Sequence, residues 1–337
     1  MKKNCIALLF ALAPLAVQAA PQYRIEYLQG SGLGEDINNN GLILQTEWVG
    51  GVARAFVGST SSIADLGTLG GSTARGVELN DHGVVIGQSA IAGDGASHAF
   101  VYANGTMRDL GTLGGTNSTA KAVNNAGVVA GDSDIAGGGS HAFVYTAEGG
   151  MRDIGTLGGA ASRVLDISES GDVLGQAQTA SGDWHTFLYK DGVMTDVNGR
   201  YGSMFGFGPN GELYGASYSS SGMGSYSLSL SGSSWSPQRG FGMPTAMADG
   251  YLVGYDGMMA NTLLATPEGT FFLDQLLEGD WFISRAVSVN DRGQILVIGN
   301  NSQVLLSPIP EPTTYAMLGA GLALLALRRR KGAGRPA

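Results

Sequence analysis

The sequence is nearly devoid of cysteine: Cys5 is the only one in 337 residues. One thiol excludes a disulfide framework and a cysteine-rich metal site, so stability has to come from packing. Proline is scarce, at 10 residues, beside 55 glycines with no strict glycine period, which excludes a collagen. An apolar fraction of 43% excludes simple disorder. Basic side chains are also few, 19 against 28 acidic. Clustered positive charge is what phosphate binding needs, so nucleic acid is excluded as an expected partner.

Both ends read as targeting segments. Residues 1–20 carry Lys2 and Lys3, an apolar run from Ile6 to Val17 and the small pair Ala19-Ala20, the three parts of a secretory signal peptide. Cys5 lies inside it, so the mature chain is expected to lack cysteine. At the other end, residues 309–337 hold Pro310-Glu311-Pro312, an apolar stretch from Thr313 to Leu327 and the cluster Arg328, Arg329, Arg330, Lys331. As a helix, that stretch reaches about 22 Å against a bilayer core of about 30 Å, a marginal span that arginine snorkelling can lengthen. The positive-inside bias keeps the arginines cytoplasmic and the body on the far side. Without the seven basic residues and one acid of the two ends, 12 basic and 27 acidic side chains remain, a formal charge of −15. The order of elements in this tail resembles the PEP-CTERM sorting signal of Gram-negative bacteria. That resemblance implies an exosortase as partner, transient inner-membrane anchoring, and delivery to the cell surface or exopolysaccharide layer. An ordinary C-terminal anchor is the alternative.

Between the ends the chain repeats. Asp65-Leu66-Gly67-Thr68-Leu69-Gly70-Gly71 recurs at Asp109 to Gly115 and, with Ile154, at Asp153 to Gly159, both at intervals of 44 residues. Turn glycines before β-rich segments extend the series through Gly41, Gly83, Gly127, Gly171, Gly211, Gly250 and Gly293. Seven units of about 42 residues with several short strands each are a mark of propellers or arrays. In the second unit, Arg75 to Leu79, Val84 to Gln88, His98 to Tyr102 and Met107 to Leu110 read as strands, joined by asparagine-glycine turns. Tyr23 to Leu28 is a surplus fourth strand at the start, and the last unit ends on its third, Gln303 to Leu306. The expected fold of residues 21–308 is therefore an all-β, seven-bladed β-propeller closed by its N-terminal strand, flanked by the signal peptide and a C-terminal apolar helix. The heptapeptide, together with His98-Ala99-Phe100 and His141-Ala142-Phe143, resembles the HAF repeat family of exported bacterial proteins over residues 54–190. Units five to seven lack these blocks, and the resemblance brings no catalytic residues.

His98, His141 and His185 occupy equivalent third-strand positions about ten ångströms apart, too far to share a zinc ion. An inter-blade hydrogen bond is the expected role, with Arg54 as its counterpart in unit one. Asp132-Ser133-Asp134 and the glycines after it look like a calcium loop, but Phe143 stands where an EF-hand needs glutamate. Asp94, Asp132 and Asp134 are the candidates for an irregular calcium site; no other cofactor is expected. Gly206, Gly208 and Gly211 match a dinucleotide pattern without its strand-to-helix context, and Gly131-Asp132-Ser133 a serine-esterase block without partners.

Antiparallel order sorts the longer connections onto one face, with Trp48, Asp183, Trp184 and Trp281. Indoles beside carboxylates suit sugar recognition, while rings that plug gaps between blades are the plainer account. Asp36, Glu78 and Asp166, close to the ends of first strands, are expected at the central tunnel. They are either solvated lining or an acid-base set for a carbohydrate-active enzyme, a glycosidase or lyase. The expectation is an exported, non-enzymatic surface or matrix propeller, with that enzyme and a protein-interaction scaffold as alternatives.

Overall fold

The computed structural model describes residues 20–309, apart from 31, 198–202, 209, 220–221, 229–240 and 257–260. The expected signal peptide but for its last residue, the sorting segment with Pro310, Glu311, Pro312 and Arg328 to Arg330, and the apolar C-terminal stretch lie outside the described residues.

All regular structure there is β, except for one 3-10 turn at Leu273–Leu276. The chain opens on β1 (Tyr23–Tyr27). A first sheet follows, β2 (Leu33–Ile37), β3 (Ile43–Val49), β4 (Val52–Ser59) and β5 (Ser62–Asp65). The second holds β6 (Gly70–Leu79), β7 (Val85–Ile91), β8 (Ser97–Ala103) and β9 (Thr106–Asp109). The third holds β10 (Gly114–Val123), β11 (Val129–Ile135), β12 (Ser140–Thr146) and β13 (Gly150–Asp153). β14 (Gly158–Ile167), β15 (Val173–Thr179), β16 (Trp184–Lys190) and β17 (Val193–Asp196) make the fourth. The fifth shows three strands, β18 (Ser203–Phe207), β19 (Leu213–Ser219) and β20 (Gly222–Leu228). The sixth contains β21 (Phe241–Ala248), β22 (Tyr251–Asp256), β23 (Thr262–Thr266) and β24 (Gly269–Phe272). The last combines β25 (Ile283–Val289), β26 (Ile295–Gly299) and β27 (Ser302–Pro308) with β1, in the order β1-β27-β26-β25.

The N-terminal strand pairs with the last strand, as expected, in an antiparallel register: Ile25 opposes Leu306, Glu26 opposes Leu305 and Tyr27 opposes Val304. Its hydrogen bonds satisfy the edge that β27 would otherwise expose. Neighbouring sheets pack consecutively, and β25 of the last lies against β2 of the first.

Local sequence explains the strands. All seven turn glycines have positive φ, between 69° and 87°, which is why glycine recurs there. The first strands of the second, third and fourth sheets, 10 residues each, are longer than the sequence suggests, because the Gly-Gly of the heptapeptide already pairs with the second strand, as Gly70 does with Ile91. Mid-strand glycines serve packing instead. A Cβ on Gly131 or Gly175 would stand 2.7 or 2.4 Å from the Phe143 or Phe187 ring, and those rings are fully buried. The core is therefore divided into clusters between adjacent sheets, such as Leu44, Leu79, Val85 and Phe100 between the first and second.

Antiparallel order gives the assembly two unlike faces. The turn face carries the first-to-second and third-to-fourth strand turns, such as Asn38–Gly41 and Asn104-Gly105. The loop face carries the second-to-third turns, such as Gly50-Gly51, and the connections between sheets.

Candidate functional site

The seams between sheets are stitched on the turn face by a ladder of asparagines. Asn38 Nδ2 donates to the Asn80 carbonyl at 2.9 Å, Asn80 to Asn124 at 2.9 Å and Asn124 to Ser168 at 3.1 Å. Asn290 Nδ2 donates to the Asn38 carbonyl at 2.9 Å, across the junction of last and first sheets. Each of these asparagines also accepts from its own turn, as Asn38 Oδ1 does from Asn40 N and Leu42 N. A second row runs beside it: Asp81 Oδ1 accepts from Asn39 N, Asn125 Oδ1 from Asp81 N and Glu169 Oε2 from Asn125 N.

These bonds correct the expected histidine role. His98 Nδ1 meets Asp109 Oδ2 at 2.9 Å, His141 meets Asp153 at 2.8 Å and His185 meets Asp196 at 2.7 Å, each within its own sheet. Arg54 pairs with Asp65 in the same way. The ring lies over the adjacent fourth strand, while the inter-sheet contact is made by serine: Ser118 Oγ accepts from Ala99 N at 2.8 Å. The heptapeptide aspartate thereby does two things, since Asp65, Asp109 and Asp153 also accept from the backbone of Gly67, Gly111 and Gly155.

A cavity of about 510 Å³ opens among the turn-face ladders, and Glu78, Asp166, Tyr214, Thr245 and Ser288 line it. Asp36 stands apart from this lining. Its carboxylate accepts from Ile37 N, Leu79 N and Ser288 Oγ, at 2.8, 3.0 and 2.7 Å. Asp166 accepts from Ile167 N and Phe207 N, both at 2.7 Å, and Glu78 is bonded to the Val123 backbone. All three acids thus bridge to the next sheet. Burial pushes Asp36 and Asp166 up to about 6, against the backbone bonds that favour the carboxylate. Burial, reinforced by the charges of Asp166 and Asp36, raises Glu78 well above the ordinary carboxylate range. Tyr214 is raised by burial and by the same two cavity carboxylates, Asp166 and Glu78.

The calcium candidates are dispersed. Asp94 accepts from Ser72 N, Asp132 from Val164 N across a seam, and Asp134 from Asn117 N and Nδ2. Among the described residues, no three histidine or acidic side chains gather in a metal-holding group.

The loop face is apolar by comparison. Trp48, Val49, Trp184, Phe272 and Phe282, with Tyr27 and Leu33, make up seven of the nine exposed large apolar side chains among the described residues, and all sit at loop-face ends of strands. Trp48 is 49% exposed and Trp184 44%. Each indole is backed by a guanidinium, Arg75 at 5.2 Å and Arg163 at 5.0 Å. Trp48 and Arg75 border a groove of about 270 Å³ between the first and second sheets. Asp183 is close in sequence, in the exposed turn before Trp184, where it accepts from Ser181 Oγ. Trp281 is different: it is half-buried against the last-sheet core, 6.5 Å from the Tyr27 ring. Sequence reasoning missed the arginines behind the indoles and the related pairs Arg108–Tyr145 and Arg152–Tyr189. The recurring Met-Arg-Asp at 107–109 and 151–153 was the signal for the latter.

The PEP-CTERM protein-sorting motif matches residues 308–331. That motif is a recognition signal for exosortase and implies export and cell-surface sorting in Gram-negative bacteria. No curated protein matches the chain. In fold, the chain is similar to the β-propeller domain of the trilobed protease from Pyrococcus furiosus, described as having an open velcro topology. The TM-score is 0.56 at 11% identity, over 84% of this chain and 97% of that one. YCF48 bound to D1 peptide aligns at 0.51 and 10% identity, covering 86% and 98%. Streptogramin B lyase aligns at 0.50 and 11%, covering 85% and 97%. At such identities the likeness shows the fold alone: this is an exported protein of β-propeller fold.

Proposed function

We propose that the chain is a closed, seven-bladed β-propeller that exosortase processing delivers to the cell surface or exopolysaccharide matrix, where it binds polysaccharide without catalysis. Seven sheets in a closed series of contacts support the blade count, and the pairing of β1 with β27 supports the closure. The HAF-like repeats agree with an exported protein. The observation that carries the reading is the loop face, where Trp48 and Trp184 are exposed and braced by arginines. An indole held flat by a cation offers its free face to the C–H side of a sugar ring.

The cavity supports a second reading, a carbohydrate-active enzyme using Glu78 and Asp166, because both acids hold protons more tightly than usual. The bland account is stronger: these carboxylates are engaged as acceptors for the neighbouring sheet. Pull-down of purified exopolysaccharide by the folded body tests the first reading. Trp48→Ala with Trp184→Ala is expected to lower retention at least about tenfold, the effect of losing two stacking contacts of about 1 kcal/mol each. Full retention overturns the assigned face. Retention lost instead in Glu78→Gln, with turnover of the glycan in the parent protein, favours the enzyme.

A further inference from the structure

The two termini of the described body leave it at one point. Tyr23 is paired with Pro308, and Ile309 N donates to the Gln22 carbonyl at 2.8 Å. Because β27 runs from the Asn300-Asn301 turn toward the Asn290 side of its sheet, this point is at the turn face, beside the ladder and the cavity mouth. The Pro-Glu-Pro triplet of the sorting motif begins at Pro310 and the apolar stretch at Thr313. Three residues, Pro310 to Pro312, separate Ile309 from that stretch, and the four steps from Ile309 to Thr313 at about 3.4 Å each span no more than about 14 Å. The headgroup layer alone takes up about 5–8 Å of that distance.

We infer that the β1–β27 pair sets how the unprocessed protein sits on the membrane: the turn face is held toward the bilayer and its sorting enzyme, and the Trp48 and Trp184 face points outward. This rests on the transient inner-membrane anchoring that the sorting-signal resemblance implies and adds an orientation to it. So short a tether cannot swing the exit point away from the headgroups, and β27 is locked between β26 and β1 up to Pro308. The turn face itself carries Asp81, Glu169, Asp249 and Asp291, which gain nothing from phosphate headgroups. Tethering, not adhesion, therefore holds it there, and cutting the tether frees the cavity mouth. The exosortase has to work in the narrow gap beside the closed last sheet. The loop face is available for matrix contacts even before cleavage.

A mature chain without cysteine makes the test direct, since Cys5 lies in the signal segment. Ala126→Cys reports the turn face and Ala92→Cys the loop face, both being exposed turn positions. The full chain is expressed in a Gram-negative host lacking exosortase, and spheroplasts are treated with a 5-kDa polyethylene-glycol maleimide. The reagent is bulkier than the gap, so Ala126→Cys should react at least about fivefold more slowly than Ala92→Cys. Detergent, or ten Gly-Ser residues inserted after Ile309, should remove the difference. Equal rates in protein that sediments with membranes would overturn the orientation alone. Protein that fails to sediment with membranes would overturn the anchoring as well. Protection that survives the inserted linker would assign it to the fold and refute the membrane account.

Discussion

Replacing Asp132 by asparagine should stabilise the protein, and only above a defined pH. Asp132 lies on β11, and its Oδ1 accepts from Val164 N on β14 at 2.7 Å, across the seam between the third and fourth sheets. Burial raises its pKa from 3.8 to about 6, outweighing the Val164 bond and the charges of Lys121 and Arg163. Between those values the folded state keeps a proton that the unfolded chain has released, so stability falls as pH rises through the window and is level above it. At 1.36 kcal/mol per pH unit the interval amounts to about 3 kcal/mol, which the partial exposure of the side chain reduces to about 1–2. Asparagine retains the acceptor for Val164 N and removes the ionisation. In urea unfolding, Asp132→Asn should exceed the parent by about 1–2 kcal/mol at pH 8 relative to the difference at pH 4. A difference that is independent of pH, or that favours the parent more strongly at pH 8, would refute the reasoning.

The parent itself should melt at a higher temperature near pH 5 than at pH 8 in differential scanning calorimetry, because Asp36 and Asp166 share the same sign of shift and the chain carries 28 acidic against 19 basic side chains. Asn290→Ala removes the bond to Asn38 and leaves Arg292 N and Gln294 N without their acceptor, so denaturant unfolding should show a loss of about 2–4 kcal/mol. A loss under about 0.5 kcal/mol would mean that the ladder is incidental. Tyr23→Ala, at a position only 3% exposed in the last-sheet core, should cost about 3–4 kcal/mol. Deleting residues 21–28 should expose the β27 edge and produce oligomers by size-exclusion chromatography; a monomer as stable as the parent would separate ring closure from stability.

What the sequence determined by itself was whatever recurs or follows a local rule. Gly41 to Gly293 marked every first turn because a positive φ is a property of a single residue. The surplus strand at Tyr23 was legible because strands count in fours, and the sorting motif because its elements are contiguous. Tertiary structure decided how side chains meet across seams, since those partners lie from 19 residues apart, as Ala99 and Ser118, to 252, as Asn38 and Asn290, and their direction depends on the twist and spacing of packed sheets. The histidines therefore face their own sheet while Asn38, Asn80 and Asn290 cross to the next, which residue type alone does not distinguish. Glu78 and Asp166 reach the cavity but Asp36, at the equivalent place in the repeat, is enclosed by three donors, because Ser288 of the last sheet closes over it. Trp281 and Trp184 likewise share a face in topology, yet one lies beside Tyr27 and the other is left in solvent, a difference set by the neighbours that the β1–β27 pairing brings alongside.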